Sequence, residues 1–328
     1  MKKLFTLFAF AIIAITANAQ TDLVLDWAKS TLSNNIVGGA EQAYDIALDA
    51  SGNTYITGTF SQTADFDPGV GVANLTAAGN LDVFIAKYDA SGNYVFAKAM
   101  GGTDYEYGKS IAVDASGNIY ITGYFQGTAD FDPGAGVTNL VSNGGDDMFF
   151  AKYNSSGDLV YANSVGNTGQ EWGSSIAVDA SGNAYLTGFF ANSVDFDPSA
   201  GSALLNSPGA STFIAKYDAA GNYLNAKAIV VSSGSNRGYD LALDASDNIY
   251  VTGDLDGTAD FDPNAGVVNL TTVGNKDFYL AKYDAAINYI WAINMGGASV
   301  YAQAEALALD ASGNAYVAGF FSGGTSLD

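Results

Sequence analysis

The strongest candidates for chemistry in this sequence are four copies of Asp-Phe-Asp-Pro, each with two carboxylates two residues apart. The pairs are Asp65 and Asp67, Asp130 and Asp132, Asp195 and Asp197, and Asp260 and Asp262. In extended backbone such side chains point the same way and could share a hard cation such as calcium. Alternatively, the first Asp caps backbone amides, the Phe anchors the loop and the second Asp starts a turn into the Pro. We favour this second interpretation, because calcium is coordinated by six or more oxygen ligands and each segment offers only two evident carboxylates.

Other kinds of site are limited by what the sequence lacks. It contains no His and no Cys, which excludes imidazole acid–base catalysis, Ser-His-Asp triads, thiol chemistry and disulfide bonds. Paired carboxylates alone would suffice for a glycosidase. With so many Asp residues, however, chance pairs are expected. We therefore expect no enzyme and no required cofactor, and keep a carboxylate-dependent glycan-processing enzyme as an alternative.

Charge gives a further limit on partners. The formal net charge is −22, so nucleic acid is not expected as a partner. Among the few basic residues, four lysines recur once per repeat. They are Lys87, Lys152, Lys216 and Lys282. We expect them to be structural, each paired with an aspartate of its own or the neighbouring repeat.

The first nineteen residues have the layout of a secretory signal. Lys2 and Lys3 precede an apolar run from Leu4 to Ile15, and Ala17-Asn18-Ala19 offers a cleavage site. We expect cleavage near Ala19 and a location outside the cell or on its outer surface. No later segment is apolar enough for a membrane helix.

The architecture is indicated by one string that occurs five times with a period of 65 or 66 residues. The copies are Ile46 to Gly58 (IALDASGNTYITG), Ile111 to Gly123, Ile176 to Gly188, Leu241 to Gly253 and Leu307 to Gly319. A second string of the FIAKYD type follows the Asp-Phe-Asp-Pro segment. Each unit predicts four strands, with glycine supplying positive φ in the short turns. Two hairpins joined by a longer loop make one antiparallel blade.

We therefore predict an all-β fold, a β-propeller of four-stranded blades. The expected divisions are a signal peptide (1–19), a lone outer strand (20–37), four complete blades (38–102, 103–166, 167–231 and 232–297) and a partial fifth (298–328). Joining the two ends is one way to complete the fifth blade, although its third strand is missing. We interpret the chain as a fragment of a longer gene product.

The segment GGTDYEYGKSIAVDASGNIYITGYF, followed by DMFFAKYNSSGDLVYANSVG, resembles the bacterial β-propeller repeat called SBBP. The DFDPG insertion is similar to the variant common in secreted proteins of the Bacteroidetes. This resemblance implies the fold but no single activity. Related proteins often end in a sorting domain that attaches them to the cell surface, and we expect truncation to account for its absence from this sequence.

In a propeller, the loops between strands two and three share one face with the connections between blades. We call this side the loop face. It collects the Asp-Phe-Asp-Pro loops and most of the variation between copies, whereas the opposite turns are nearly uniform. Candidate ligand-binding residues on it are Glu41, Tyr44, Tyr105, Glu106, Tyr107, Glu171, Trp172, Tyr239 and Tyr301. Alternatively, these aromatic residues fill gaps between blades.

These observations predict a secreted or cell-surface propeller that binds polysaccharide or protein without catalysis. The alternatives are the glycan-processing enzyme and a structural spacer within a larger surface protein.

Overall fold

The structure is a computed structural model that describes residues 12–16, 24–29, 32–33 and 41–323. Within these residues the backbone forms twenty-five strands and no helix, so the predicted all-β fold is confirmed. In this part of the chain, no helix is long and apolar enough to span a membrane.

The amino-terminal strands are short. β1 (Ile12–Thr16) pairs with β2 (Val24–Lys29), and β3 (Leu32–Ser33) pairs with a strand of the first blade. Residues 1–11 and 17–19 of the predicted signal peptide lie outside the described residues. The described part of that segment, Ile12–Thr16, leaves the signal peptide a prediction.

Four groups of four antiparallel strands follow. The first is β4 (Glu41–Leu48), β5 (Thr54–Phe60), β8 (Asp82–Tyr88) and β9 (Tyr94–Gly102). The second is β10 (Glu106–Val113), β11 (Ile119–Phe125), β14 (Asp147–Tyr153) and β15 (Leu159–Val165). The third is β16 (Trp172–Val178), β17 (Ala184–Asp195), β18 (Leu204–Tyr217) and the first part of β19 (Tyr223–Leu243). The fourth is the rest of β19 with β20 (Ile249–Asp260), β22 (Asp277–Tyr283) and β23 (Tyr289–Met295).

A terminal hairpin of β24 (Tyr301–Leu309) and β25 (Ala315–Ser322) follows the fourth blade. Three blades also carry short strands in the loop between their second and third strands. These are β6 (Thr63–Asp65), β7 (Asn74–Thr76), β12 (Thr128–Asp130), β13 (Asn139–Val141) and β21 (Asn269–Thr271).

Each short turn of the repeat is closed by the side chain of its first residue, which is an aspartate in every copy except Asn154. Asp49 Oδ1 accepts hydrogen bonds from the amides of Ser51 (2.9 Å) and Asn53 (3.0 Å). Gly52 has a φ of +79°, a conformation that costs glycine nothing. The high aspartate content of the chain is therefore partly turn chemistry.

The Asp-Phe-Asp-Pro segments of the second, third and fourth blades lie at the tips of hairpins that reach back to the preceding blade. In the second blade, β12 pairs with β13 and also with β9 of the first blade, where Asp130 lies opposite Gly101. Phe131 is fully buried against Phe149 and shares a core cluster with Met100 of the first blade. We call these hairpins clasps, because they join consecutive blades.

The first clasp has the same arrangement with β3 as its partner. Leu32 and Ser33 lie opposite Asp65 and Ala64, in the register that Gly101 and Gly102 adopt opposite Asp130 and Ala129. β3 thus occupies the position of an outer strand next to the first blade.

The innermost strands are also bonded to one another. Asp45 Oδ2 of the first blade accepts hydrogen bonds from the Ser110 hydroxyl (2.7 Å) and the Ile111 amide (2.8 Å) of the second. Ser110 Oγ in turn accepts the Ile176 amide of the third blade at 3.2 Å. Each partner lies beside a one-residue bulge of an innermost strand.

The same set of bonds continues to the terminal hairpin. The Ser175 hydroxyl donates to Asp240 Oδ1 (2.7 Å), and Ser175 Oγ accepts the Leu241 amide (3.2 Å). Asp240 Oδ2 accepts the Leu307 amide at 2.6 Å. We call this series the axial girdle, and it links every blade to the next.

Candidate functional site

The carboxylates proposed for calcium are engaged within their own loops. Asp65 Oδ1 accepts the amides of Asp67 (3.0 Å) and Ala73 (2.8 Å), and Asp67 Oδ1 accepts the amide of Gly69 (2.7 Å). The pairs Asp130 and Asp132, Asp195 and Asp197, and Asp260 and Asp262 make matching bonds. Among the described residues, no group of three or more His, Cys, Asp or Glu side chains is placed to hold a metal ion. The geometry therefore favours the loop-capping interpretation.

The recurring lysines stack on tyrosine. Lys87 Nζ lies 4.7 Å from the centre of the Tyr55 ring, its cross-strand neighbour. Lys152, Lys216 and Lys282 stack on the equivalent tyrosines. Only Lys282 among these four also forms an ion pair within the described residues, with Asp244 at 3.0 Å. An aspartate partner is thus present for Lys282. Lys87, Lys152 and Lys216 form no ion pair among the described residues, although the charge of Lys216 helps to lower the pKa of Asp179.

Three of the predicted face residues lie in one row of aromatic rings that crosses three blades. The row runs through Tyr44, Tyr107, Tyr124, Trp172 and Phe189. Tyr124 and Trp172 belong to different blades and stack at 4.2 Å with an interplanar angle of 8°. We call this the aromatic row. Since each inner ring covers the next, the row contributes to packing between blades as well as to the loop face.

A cation closes each end of the aromatic row. Lys109 Nζ lies 3.6 Å from the centre of the Tyr44 ring, and the Arg237 guanidinium lies 4.8 Å from that of Phe189. Burial lowers the pKa of the Lys109 ammonium to about 8. The indole of Trp172 donates to Asp146 Oδ2 at 2.8 Å, which fixes the ring in place.

Glu106 and Glu171 are buried and do not belong to an open binding face. Glu106 Oε2 accepts the Gly102 amide (3.0 Å), and Glu171 Oε2 accepts the Asn167 amide (2.7 Å). The Oε1 atom of each has no partner. Burial raises the pKa of Glu106 to about 8 and that of Glu171 to about 7. The sequence predicts these two residues as ligand contacts, but neither is more than 1% exposed.

Each buried glutamate faces an aspartate of the preceding blade. A Cβ on Gly101 would lie less than 3 Å from both Asp82 Oδ1 and Glu106 Oε2, so these carboxyl groups are close. The charge of Asp82 further raises the pKa of Glu106, as that of Asp147 does for Glu171. We call Asp82–Glu106 and Asp147–Glu171 the carboxyl pairs. Glu41, in the equivalent position of the first blade, is half-buried, and burial raises its pKa.

At the next blade boundary, the same two positions are uncharged. They are Ser211 and Asn236, and Asn236 Oδ1 accepts a hydrogen bond from the hydroxyl of Thr212, the residue after Ser211. The fourth blade therefore joins the third without a carboxyl pair.

Tyr239 and Tyr301, also predicted, meet around a buried ion pair. Lys276 Nζ lies 2.8 Å from Asp254 Oδ2, and the Tyr239 hydroxyl donates to the same oxygen at 2.9 Å. Lys276 also stacks on the Tyr301 ring at 5.0 Å. With Arg237, which stands beside Asp254 across the strand pair, these residues form what we call the fourth-blade cluster.

Several residues of the fourth-blade cluster differ from the residues at the equivalent positions of the other blades. Where Asp254 stands, the second and third blades have Tyr124 and Phe189. Where Arg237 stands, they have Tyr107 and Trp172. Asp254 Oδ1 and Arg237 Nε are buried without a hydrogen-bond partner.

Sequence reasoning missed Lys109, Tyr124, Phe189, Arg237, Asp254 and Lys276. Comparison of the copies position by position marks Arg237, Asp254 and Lys276 as exceptions to the repeat. Cross-strand pairing of the predicted hairpins identifies Tyr124 and Phe189 as neighbours of Tyr107 and Trp172. Tyr105 is 41% exposed and lies close enough to Tyr107 of the aromatic row to contribute to the raised pKa of that residue.

The repeated four-stranded blades define a β-propeller. Residues 100–128 match the SBBP family model, described as a beta-propeller repeat, so the predicted SBBP-type repeat is confirmed. The match begins at the end of one blade and continues through the first two strands of the next.

Two curated proteins share part of this sequence. An uncharacterized WD repeat-containing protein, L264, from Acanthamoeba polyphaga mimivirus is 25% identical over 276 residues, which is 71% of this chain and 19% of that protein. The regulatory protein FlaEY of Caulobacter vibrioides is 28% identical over 127 residues, which is 38% of this chain and 13% of that protein. The chain therefore spans less than a fifth of the length of either relative.

A crystal structure of a protein of unknown function from Bacteroides caccae is also similar. The similarity covers 82% of this chain and 85% of that one, with 12% sequence identity and a TM-score of 0.36.

Proposed function

We propose that this chain is a secreted or cell-surface propeller that binds a protein partner through its loop face and catalyses no reaction. The fourth-blade cluster is the observation that carries the proposal. A repeat needs no ion pair at this position, since aromatic side chains fill it in the second and third blades. A buried ion pair is also weak evidence for a role in stability, because desolvation offsets the attraction between the charges.

The composition of this region matches that of protein interfaces. Tyrosine, tryptophan and arginine are the residues that most often dominate binding energy between proteins. The aromatic row and the fourth-blade cluster meet where Arg237 stacks on Phe189. The formal charge of −22 favours a basic partner through electrostatic steering. WD-repeat and regulatory relatives are consistent with an interaction role.

A polysaccharide ligand is the less favoured alternative. Sugars stack on the free face of an aromatic ring, whereas Tyr124 is covered on its two sides by Tyr107 and Trp172. A glycan-processing enzyme is disfavoured in a similar way, because the carboxyl pairs are buried and present no open cleft. The predicted export signal at residues 1–19 supports the proposal of a site of action outside the cell.

The test is affinity capture from cell-envelope and culture-medium fractions, with the full chain immobilised. We expect one or more proteins to be retained by the wild type and lost with Arg237→Ala and with Tyr105→Ala. Ser116→Tyr, on the exposed turn of the opposite face, is the matched control and should retain them. Binding of the recovered protein is then measured with purified components.

Retention that persists in both loop-face variants, or that is lost in the control, contradicts the proposal. Glycan-array binding that disappears with Trp172→Ala would support the polysaccharide alternative. Release of sugar that is lost with a carboxylate variant would support the enzyme. Absence of any binding would contradict the proposal and support the alternative of a structural spacer within a larger surface protein.

A further inference from the structure

Asn143 carries a side chain that its turn does not require. Its main-chain amide donates to Asp147 Oδ2 at 3.0 Å. In the equivalent turns of the first and fourth blades, the amides of Ala78 and Val273 make the same bond to the aspartate four residues later. Alanine or valine therefore suffices for the turn, and the carboxamide of Asn143 is an addition to it.

Asn143 is followed by Gly144, and this is the single Asn-Gly step in the sequence. In such a step the main-chain nitrogen of the glycine can attack the side-chain carbonyl carbon of the asparagine, which closes a five-membered succinimide ring and releases ammonia. Glycine favours closure because it has no side chain and the widest choice of backbone conformations. Asn143 and Gly144 are both exposed, so water reaches the ring.

The attacking nitrogen is not engaged in a hydrogen bond. In the first blade, the Gly79 amide donates to Asp82 Oδ1 at 3.4 Å. The Gly144 amide, at the equivalent position, donates to no acceptor among the described residues, and Asp147 Oδ1 is buried without a hydrogen-bond partner. The nitrogen is therefore free to attack, and Asp147 Oδ1 is free to carry a proton.

The leaving nitrogen lies beside a carboxyl pair. Asn143 Nδ2 donates to Asp147 Oδ2 at 3.2 Å and to the Gly166 carbonyl at 3.3 Å. Burial raises the pKa of Asp147 to about 6 and that of Glu171 to about 7, and the charge of Asp146 raises both further. The Asp147–Glu171 pair thus retains a proton below about pH 7, within reach of the nitrogen that leaves. Donation from such a position is general acid catalysis.

We propose that Asn143 is a self-modification site, at which the folded chain converts this residue to aspartate or isoaspartate with Asp147 as the general acid. The Gly144 nitrogen bonds to Asn143 Cγ and loses its proton to water. The Cγ–Nδ2 bond breaks as Asp147 gives a proton to the departing nitrogen, and ammonia is released. Water then opens the succinimide at either carbonyl, and Asp147 regains a proton from solvent. The reaction consumes only water and is independent of the partner proposed for the loop face.

The product alters the boundary between the second and third blades. A carboxylate at position 143 lacks the two donor bonds of Nδ2 and adds a negative charge beside Asp147 and Glu171, which is unfavourable where burial already disfavours charge. The neighbouring Asp146 accepts the Trp172 indole of the aromatic row at 2.8 Å. A slow, irreversible covalent change is thereby placed next to the loop face.

The test follows the exchange of side-chain NH₂ for O⁻ by mass spectrometry of the purified full chain, incubated below and above the pKa of Glu171. Peptide mapping locates the change and separates aspartate from isoaspartate. Asn154 is the matched control in the same blade, because its Nδ2 also donates to an aspartate four residues later, at 3.1 Å, but the next residue is Ser155. Conversion should be at least about tenfold faster at Asn143 than at Asn154.

Comparison with the urea-unfolded chain separates the effect of the fold from that of the Asn-Gly step. Below the pKa of Glu171, the folded chain should convert Asn143 at least about tenfold faster than the unfolded chain, because only the fold places the general acid. Above this pKa the advantage should shrink, since the pair has lost its proton.

Two variants test the acid directly. Asp147→Asn should remove the advantage of the folded chain. Glu171→Gln keeps Asp147 and should lower the pH at which the rate falls, because one of the two groups that hold the proton is gone. Glu106→Gln, in the other carboxyl pair, is the matched control and should leave conversion at Asn143 unchanged.

The effect of the product is measured with Asn143→Asp. Its melting temperature should lie about 2 to 6 °C below that of the wild type, as expected for the loss of hydrogen bonds to a charged group. Asn275→Asp, at an exposed position of the equivalent turn in the fourth blade, is the charge-matched control and should melt with the wild type.

The proposal is overturned if Asn143 converts no faster in the folded chain than in urea. Equal rates at Asn143 and Asn154, or an unchanged pH profile in Glu171→Gln, would also overturn it. Equal melting temperatures of Asn143→Asp and the wild type would contradict the effect on the blade boundary.

Discussion

The Ser175 hydroxyl donates to Asp240 Oδ1 across 2.7 Å and joins the innermost strands of the third and fourth blades. Asp240 Oδ2 accepts the Leu307 amide of the terminal hairpin at 2.6 Å. The Asp240 carboxylate therefore connects the third blade and the terminal hairpin to its own, fourth blade.

Replacement of Asp240 by Ala should lower the free energy of unfolding by about 2 to 4 kcal/mol, because the Leu307 amide and the Ser175 hydroxyl lose their acceptor. Asp240→Asn retains an acceptor and should cost about half as much. Urea unfolding measures both. Asp256→Ala, at an exposed position of the same blade, is the control, and equal losses in Asp240→Ala and Asp256→Ala would contradict the role of the girdle.

Replacement of Glu106 by Gln should flatten the dependence of stability on pH. Burial raises the pKa of this carboxyl from 4.5 to about 8, so the folded chain keeps a proton that the unfolded chain releases. The free energy of unfolding therefore falls as pH rises from 4.5 to about 8, by about 1.4 kcal/mol per pH unit for this one group. The Gln variant lacks that contribution.

Urea unfolding of wild type and Glu106→Gln across this pH range measures the difference in slope. Glu305→Gln, at an exposed position, is the matched control and should follow the wild type. Parallel curves for Glu106→Gln and wild type would rule out proton retention at Glu106.

Replacement of Phe131 by Ala should destabilise the chain by about 3 to 5 kcal/mol, because it opens a cavity where the clasp meets two blades. Val137 lies in the same loop but is 70% exposed, and Val137→Ala should change stability by less than about 0.5 kcal/mol. Thermal and urea unfolding provide the comparison. Similar effects of the two variants would show that the clasp does not join the blades.

Millimolar calcium should leave the melting temperature unchanged relative to EDTA. The Asp65 carboxylate already accepts two backbone amides, and that of Asp67 accepts a third, so folding of the loop requires no cation. Differential scanning calorimetry in both conditions makes the measurement. A melting temperature raised by calcium and restored by EDTA would instead support a metal site at these pairs.

Sequence periodicity was sufficient to predict the fold because each blade repeats the same turns and strand spacing. The glycine at Gly52 and the aspartate at Asp49 specify their hairpin locally, and such local signals survive without knowledge of the tertiary structure. The capping role of Asp65 is likewise predicted locally, because an Asp in a loop tends to accept hydrogen bonds from nearby backbone amides.

The site was less predictable, because its contacts cross between blades. Glu106 and Trp172 each begin an innermost strand. The sequence therefore predicts the same role, contact with a ligand, for both residues. Only tertiary packing separates the buried carboxyl of Glu106 from the half-buried indole of Trp172. The Lys276–Asp254 ion pair joins residues twenty-two positions apart. Comparison of the repeats marks both residues as exceptions but does not show that they pair.

The clasps also give the chain a direction of assembly. Phe131 of the second blade shares a core cluster with Met100 of the first, and Phe261 of the fourth shares one with Ile229 of the third. Each clasp thus docks onto a sheet that precedes it in the sequence and leaves the ribosome earlier. Blades can therefore fold in order of synthesis, every new one using its predecessor as a template.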